Sequence, residues 1–329
     1  MKIAMGLDIG GTNIKAVMVS EEGEKLFGYK YPTPAISDND RESCQGEFVN
    51  LTRDFIKRGE AHGISVNQII GIGIGAAGII DTKRGIIVDS PNIKTMADTA
   101  LREIYKTEFR IPVTIENDAN AYAYAEKWIG TGKGFNCFVA LTLGTGLGGG
   151  FIYDGELFNG PFEVGHMVIE PNGRFCTCGN WGCLESYASG RAILDRATSS
   201  LEKGMQSIMI RFYDGNFYKL TPADIYKSAL EGDVLGREVF KELGQYLGIG
   251  ISNLINLLNP QAVIIGGGLI GAWDLFIDEL KRECSKRVLK PLSSNIKILK
   301  SELEEDGGAI GAAGLLFRDL NTNTTRGNV

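Results

Sequence analysis

The chain has 329 residues, with 34 Lys and Arg against 40 Asp and Glu and a formal net charge of −6. That length allows two domains with a core each, and the acidic balance argues against nucleic acid as a partner, because phosphate-backbone binding needs an excess of Lys and Arg. No apolar run approaches the ~20 residues of a membrane span and no charged-then-apolar signal segment opens the chain, so the expectation is a cytoplasmic protein without a membrane partner.

In chain order, the pattern predicts strands at 3–9, 14–19 and 25–31, then a helix over 43–62 carried by Phe48, Leu51, Phe55 and Ile56. A β-branched run at 69–74 precedes a hairpin over 78–88 turning at 81–85. A short helix at 98–107 leads to a strand at 112–116 and an Ala-rich helix at 118–128. At Asn136 the pattern restarts: an apolar strand at 137–143, a Gly turn at 144–150 and a second strand at 151–153. Leu7-Asp8-Ile9-Gly10-Gly11-Thr12 and Leu141-Thr142-Leu143-Gly144-Thr145-Gly146 both read strand, Gly/Thr turn, strand, an internal duplication opening each of two domains. The second half is mainly helical. Thr221-Pro222-Ala223-Asp224 has the form of a capping box, and a long helix over 233–258 carries Gly244 and Gly248 one turn apart for close packing. A strand at 262–265, a helix at 273–289, a strand at 296–299 and a small-residue helix at 308–320 follow, and the polar stretch 321–329 reads as a disordered tail. The class is α/β.

Glycine, 44 of 329, stands at nearly twice its usual ~7% share. Two stretches match G-x-G-x-x-G, at Gly73/Gly75/Gly78 and Gly144/Gly146/Gly149. A dinucleotide fingerprint needs a helix after the turn, whereas β-type residues follow both, so no helix dipole is expected and the nicotinamide reading fails. What remains is a hairpin whose amides and Thr hydroxyls can face phosphate oxygens, or simply a tight turn. The carboxylate of Asp8, just ahead of the first turn, suits Mg2+ held through water.

His166, Cys176, Cys178 and Cys183 supply four metal donors within eighteen residues, the composition of a closed tetrahedral Zn2+ site. An Fe–S cluster would want a fourth cysteine there. His62, the other histidine, sits near a helix end and reads as surface. Glu163 and Glu185 flank the cluster and suit either polyol hydroxyls or solvent. Asp118 stands where a strand meets a helix, which fits an N-cap as well as a general base, with Asn117 beside it.

These motifs resemble the ROK family of sugar kinases within the hexokinase–actin ATPase superfold, most closely its bacterial glucokinases. The likeness runs over about residues 3–318. It rests on Leu7-Asp8-Ile9-Gly10-Gly11-Thr12-Asn13, Glu116-Asn117-Asp118-Ala119-Asn120, Gly144-Thr145-Gly146-Leu147-Gly148-Gly149-Gly150, Glu163-Val164-Gly165-His166, and the run from Cys176 through Cys178, Gly182 and Cys183 to Glu185. The resemblance implies a two-domain hexokinase/actin-like fold with a cleft between the domains, a smaller domain of 1–117 plus the returning helix 305–320, and a larger domain of 118–304 with a zinc loop at 166–183. It implies Mg-ATP bound by Asp8, Gly10, Gly11, Thr12, Asn13, Thr145, Gly146, Gly267 and Gly268, and a hexose held by Asn117, Asp118, Glu163, His166 and Glu185. Asp118 would be the base acting on the sugar 6-hydroxyl, and His166, Cys176, Cys178 and Cys183 would hold a structural Zn2+. Family habit adds a homodimer or homotetramer. The resemblance leaves open N-acetylmannosamine, N-acetylglucosamine or another hexose as acceptor and polyphosphate as donor. A ROK-type transcriptional repressor is disfavoured, since Asp8 leaves no room for a preceding helix-turn-helix. Two departures bear on the sugar: Gly75-Ala76-Ala77-Gly78 lacks a proline common in the family, and the stretch 155–163 is short and lacks Ala-Gly before Glu163.

Overall fold

The structure, a computed structural model, describes residues 1–34, 41–90, 93–293, 296–303 and 305–326. The elements in chain order begin with β1 (Ile3–Ile9), β2 (Asn13–Ser20), β3 (Lys25–Pro32), α1 (Arg41–Ala61), β4 (Ile69–Ala76), β5 (Ile79–Asp81), β6 (Ile86–Asp89), α2 (Leu101–Phe109), β7 (Val113–Asn117) and α3 (Asp118–Trp128). They continue with β8 (Phe138–Leu143), β9 (Leu147–Tyr153), β10 (Glu156–Leu157), α4 (Gly190–Glu202), α5 (Pro222–Leu230), α6 (Val234–Leu258), β11 (Ala262–Gly266), α7 (Trp273–Arg287), α8 (Lys290–Ser293), β12 (Lys297–Lys300) and α9 (Gly307–Arg326). The expected α/β class holds.

The duplication suspected from the two Gly/Thr turns extends to whole sheets. One five-stranded sheet has the order β3-β2-β1-β4-β7 and the other β10-β9-β8-β11-β12, the same permutation of each sheet's five strands in chain order. In the first, β1 pairs antiparallel with β2 and parallel with β4, and in the second, β8 and β12 flank β11 in parallel. Contacts divide the chain into two units: unit 1 is Met1–Asn136, Gly150–Pro161 and Glu302–Val329, and unit 2 is Cys137–Gly149 and Phe162–Ser301. α3 therefore groups with the first sheet, where the sequence reading put it in the larger domain.

The physical reason is α9. Its small residues let it lie flush on the first sheet: a β-carbon at Gly6 would stand 1.9 Å from the Ala309 carbonyl oxygen, and one at Gly73 1.9 Å from that of Ala312. Against α3, a β-carbon at Gly311 would stand 1.8 Å from the Ala121 carbonyl oxygen. Any side chain at these positions would push the helix off the sheet. Gly73 is thus interior to β4 and serves helix packing, not a turn. α9 also continues through 321–326, which corrects the expected disordered tail for those residues; 327–329 lie outside the described residues.

On the other face of the first sheet, Met5, Leu7, Ile72 and Ile74 join Phe48, Phe55 and Tyr105 in one buried cluster. In unit 2, α6 and α7 pack closely, because Gly244 and Gly248 leave room for the Phe276 and Leu280 carbonyls. The Thr221/Asp224 capping box forms as the spacing predicts. Among the described residues no helix is long and apolar enough to cross a membrane.

Candidate active site

In unit 1 the first turn links β1 to β2. Gly10 N–H donates to the Asn13 carbonyl at 3.1 Å, and Thr33 Oγ1 donates to the Gly10 carbonyl at 2.7 Å, which leaves Gly11 and Thr12 exposed at the tip. Asp8, two residues before the turn, pairs across the sheet with Lys15 and Gly75. Its carboxylate faces the first turn of α9, since a β-carbon at Gly308 would lie 2.9 Å from Asp8 Oδ2. Burial pushes Asp8 up to about 7; Asp118 adds to the rise, Lys15 opposes it, and Asp306 adds again. The group is short of positive charge, which is the environment a bound cation would relieve.

Asp118 opens α3. The N-cap is Asn117, whose Oδ1 accepts from the N–H groups of Ala119 at 2.9 Å and Asn120 at 3.1 Å. The reading of Asp118 as the cap is therefore displaced by one residue, because Asn117 holds the extended backbone a cap needs. Asn117 also donates to the Gly78 carbonyl at 3.0 Å, and Asp118 Oδ1 accepts from Ala119 N–H at 2.9 Å. Burial raises the pKa of Asp118. Gly75 of β4 packs beside it: a β-carbon there would stand 3.5 Å from Asp118 Cα, an ordinary van der Waals contact.

In unit 2 the turn between β8 and β9 is Gly144-Thr145-Gly146, with Thr145 exposed. The sequence reading found no helix for this turn, and locally none follows. Tertiary structure supplies one: the first N–H groups of α4, on Gly190 and Arg191, donate to the carbonyls of Gly144 and Thr145 at 2.8 and 3.2 Å. The expectation of no helix dipole at the turn is corrected accordingly, because the helix arrives from about forty-five positions downstream. Gly267 and Gly268 follow β11 at the same end. Gly267 has φ +93°, and a β-carbon on it would meet the Leu143 carbonyl oxygen at 2.6 Å, so only glycine fits.

Glu185 stands beside this turn. Its Oε2 accepts from Leu147 N–H at 2.8 Å, and a β-carbon on Gly146 would lie 2.3 Å from the same oxygen. Glu163 is exposed just ahead of the single helical turn Val164–His166. His166 joins Cys176, Cys178 and Cys183, with one donor atom from each within 4.8 Å of the others. Cys178 and Cys183 Sγ are 3.7 Å apart, as are Cys176 Sγ and His166 Nδ1. A tetrahedral ion with metal–sulfur bonds of about 2.3 Å spans edges of about 3.8 Å, so the donor set fits zinc in number, type and spacing. Burial and the neighbouring thiols of Cys178 and Cys176 push Cys183 up to about 12. Burial opposes ionisation of Cys176 too, yet the Cys178 N–H and thiol, with Ser186 and His166, draw it down to about 7. A dication bound there would stabilise all three thiols as thiolates.

A sequence-family description named for ROK matches residues 4–319. The chain belongs to the ROK family. Among ROK relatives, a glucokinase of Streptomyces coelicolor is 34% identical over 96% of this chain and 98% of its own length. A xylose repressor of Caldicellulosiruptor bescii is 33% identical over 96% of this chain and 78% of its own. The crystal structure of a ROK glucokinase from Streptomyces griseus with glucose and AMPPNP superposes with a TM-score of 0.81 at 33% identity, covering 96% of this chain and 99% of that one.

Two site residues of this ROK chain escaped the sequence reading as individuals. Glu116 Oε1 accepts from Asn117 N–H at 2.9 Å and Asn120 Nδ2 at 3.1 Å, and Asn120 Nδ2 reaches the Gly160 carbonyl at 3.4 Å. Together they lock the start of α3 and the short stretch before Glu163. The signal was their four-residue spacing across a strand-to-helix junction.

Proposed function

We propose that the chain is an ATP-dependent hexose kinase, with glucose the acceptor and glucose 6-phosphate the product. One observation carries this: Asp118 is a desolvated carboxylate at a helix start where Asn117 is the N-cap, and burial raises its pKa although Ala119 N–H holds its Oδ1, which suits it to proton transfer. The similar glucokinases, one of them solved with glucose and a nucleotide analogue, support the substrate class.

In this reading the Asp118 carboxylate takes the proton of the sugar 6-hydroxyl as that oxygen attacks the γ-phosphorus in line. The bond to the bridging oxygen breaks, and ADP leaves with the electron pair. Such a transfer asks the protein for positioning, charge neutralisation and one base, and burial that raises the Asp118 pKa makes it a better proton acceptor near neutral pH. The turns at Gly10, Gly11, Thr12 and Asn13 and at Thr145 and Gly146 would present amides and hydroxyls to the phosphates, and Gly268, where a β-carbon would meet nothing, would leave open backbone beside Gly267 for the adenosine. Asp8 would hold Mg2+, which when bound neutralises phosphate charge. Asn117, Glu163, His166 and Glu185 would hold sugar hydroxyls. A zinc ion on His166, Cys176, Cys178 and Cys183 is structural, since four protein donors leave no position for water.

ADP release would be measured with Mg-ATP on glucose, mannose, fructose, N-acetylglucosamine and N-acetylmannosamine, then with polyphosphate as donor. Turnover on glucose above the others is expected. Preference for an acetylated sugar would move the acceptor to the hexosamines, consistent with the short stretch before Glu163. Silence on every sugar with either donor would overturn the kinase reading.

A further inference from the structure

Apart from the turns, unit 2 contains a cavity of about 790 Å3 between α4 and the metal-loop segments around Arg174–Thr177 and Glu185–Ser186. Its helical wall includes Ala192, Arg196 and Ser199, spaced so that all three share one face of α4, with Lys203 at the C-cap just beyond it. The first N–H groups of α4, by contrast, serve the Gly144–Gly146 turn, so the cavity is a separate feature of the same helix.

Two guanidinium groups in it are fixed before any ligand arrives. Glu242 of α6 accepts from Arg174 Nη2 at 2.5 Å and from Arg196 Nε at 2.7 Å. Arg174 also lies over the Tyr187 ring, 4.6 Å from its centroid, and Arg196 donates to Ser200 Oγ. Folding has already ordered these long side chains, so a ligand does not meet that entropic cost. One carboxylate between two guanidiniums leaves a positive charge over, and the exposed Arg191 and Lys203 add to it. Asp195, within electrostatic reach of Arg191 and Arg174, lines the same space with Glu185 and Glu238, so that carboxylates and cations balance overall while the cations cluster around Arg174 and Arg196.

This mixture selects a ligand class. A bare polyanion would meet Asp195 and Glu238 with like charge, and a neutral sugar would make less use of the guanidinium N–H groups not spent on Glu242, Ser186 and Ser200. A phosphate monoester on a polyhydroxylated carrier satisfies both, with phosphate on arginine and hydroxyls on carboxylate and serine. The volume lies in the range of small-molecule sites. We infer that this cavity is a second ligand site, for a sugar monophosphate of the kind the proposed reaction releases; only the choice of probe rests on that reading. Glu185 belongs both to this cavity and to the contact with Leu147 N–H, so occupancy would be felt at the Gly144–Gly146 turn.

The test is calorimetric titration of glucose 6-phosphate into the full chain with its metal, held in saturating glucose and AMPPNP. One equivalent is expected to bind, at least tenfold more weakly in Arg196→Gln and several-fold more weakly in Lys203→Gln, with inorganic phosphate at least tenfold weaker than the sugar phosphate. Absence of binding, equal affinity in both variants, or equal binding of inorganic phosphate would overturn the proposal. Should Arg196→Gln lower the urea midpoint, Lys203→Glu at an exposed position carries the decision. Binding that responds to these variants in a protein with no sugar turnover would uphold this site and reject the kinase reading; turnover without the second equivalent would do the reverse.

Discussion

The two hairpin turns use the same parts to opposite ends. Each has a Gly/Thr tip, a helix start drawn in from elsewhere in the chain, and a carboxylate close by. In unit 2 that carboxylate is spent: Glu185 holds Leu147 N–H, and α4 holds the carbonyls of Gly144 and Thr145. In unit 1 it is frustrated, since burial raises the pKa of Asp8, Asp118 raises it further, Lys15 opposes and Asp306 adds again. A duplicated scaffold can thus yield one turn that is internally satisfied and one whose carboxylate a cation or a proton would relieve.

The largest expected effect tests the unsatisfied side. Asp118→Ala should lower kcat roughly a thousandfold, within the range for losing a general base, while sugar binding by calorimetry stays near wild type. Turnover retained within tenfold would remove Asp118 from the chemistry.

Metal removal probes the satisfied side. Chelation under denaturant-free conditions, or Cys178→Ser, should release about one zinc per chain and raise the sugar KM roughly ten- to a hundredfold, as loss of ligand-orienting structure does elsewhere. Active protein that contains no metal by elemental analysis would end the structural-zinc assignment.

Glu185→Ala distinguishes a clamp from a sugar contact. Leaving Leu147 N–H without its acceptor costs about 1–3 kcal/mol, so the KM for both ATP and sugar should rise by roughly tenfold. A rise in the sugar KM alone would mean that the Leu147 contact does not shape the turn.

The smallest effect concerns stability. Asp8 binds its proton more tightly folded than unfolded, so its contribution is most favourable when protonated and is lost as pH rises from 3.8 toward about 7. Without Mg2+, Asp8→Asn should therefore raise stability at pH 8 by roughly 1–2 kcal/mol, after allowing for the partial exposure of the carboxylate, and leave it unchanged at pH 4. Parallel urea midpoints for both proteins across that range would contradict the frustrated-carboxylate account of unit 1.

Much of this was legible in the chain itself. Period-two and helical patterning marked most elements, α3 to the residue, though not α4, because those signals are local. The metal donors were legible for a similar reason: all four lie within eighteen residues, so a loop can bring them together. Other features needed the fold. Asn117 took the cap because the backbone enters α3 extended at that residue, a conformation that composition does not reveal. Gly73 resembled part of a nucleotide turn until α9, more than two hundred residues later, was seen lying against it. The same holds for the start of α4 at the Thr145 turn and for Arg174, Arg196 and Glu242, which meet from three separate segments. Spacing in sequence specifies what a loop or a helix can do alone, whereas close approach and shared charge between distant segments are decided only when the chain packs.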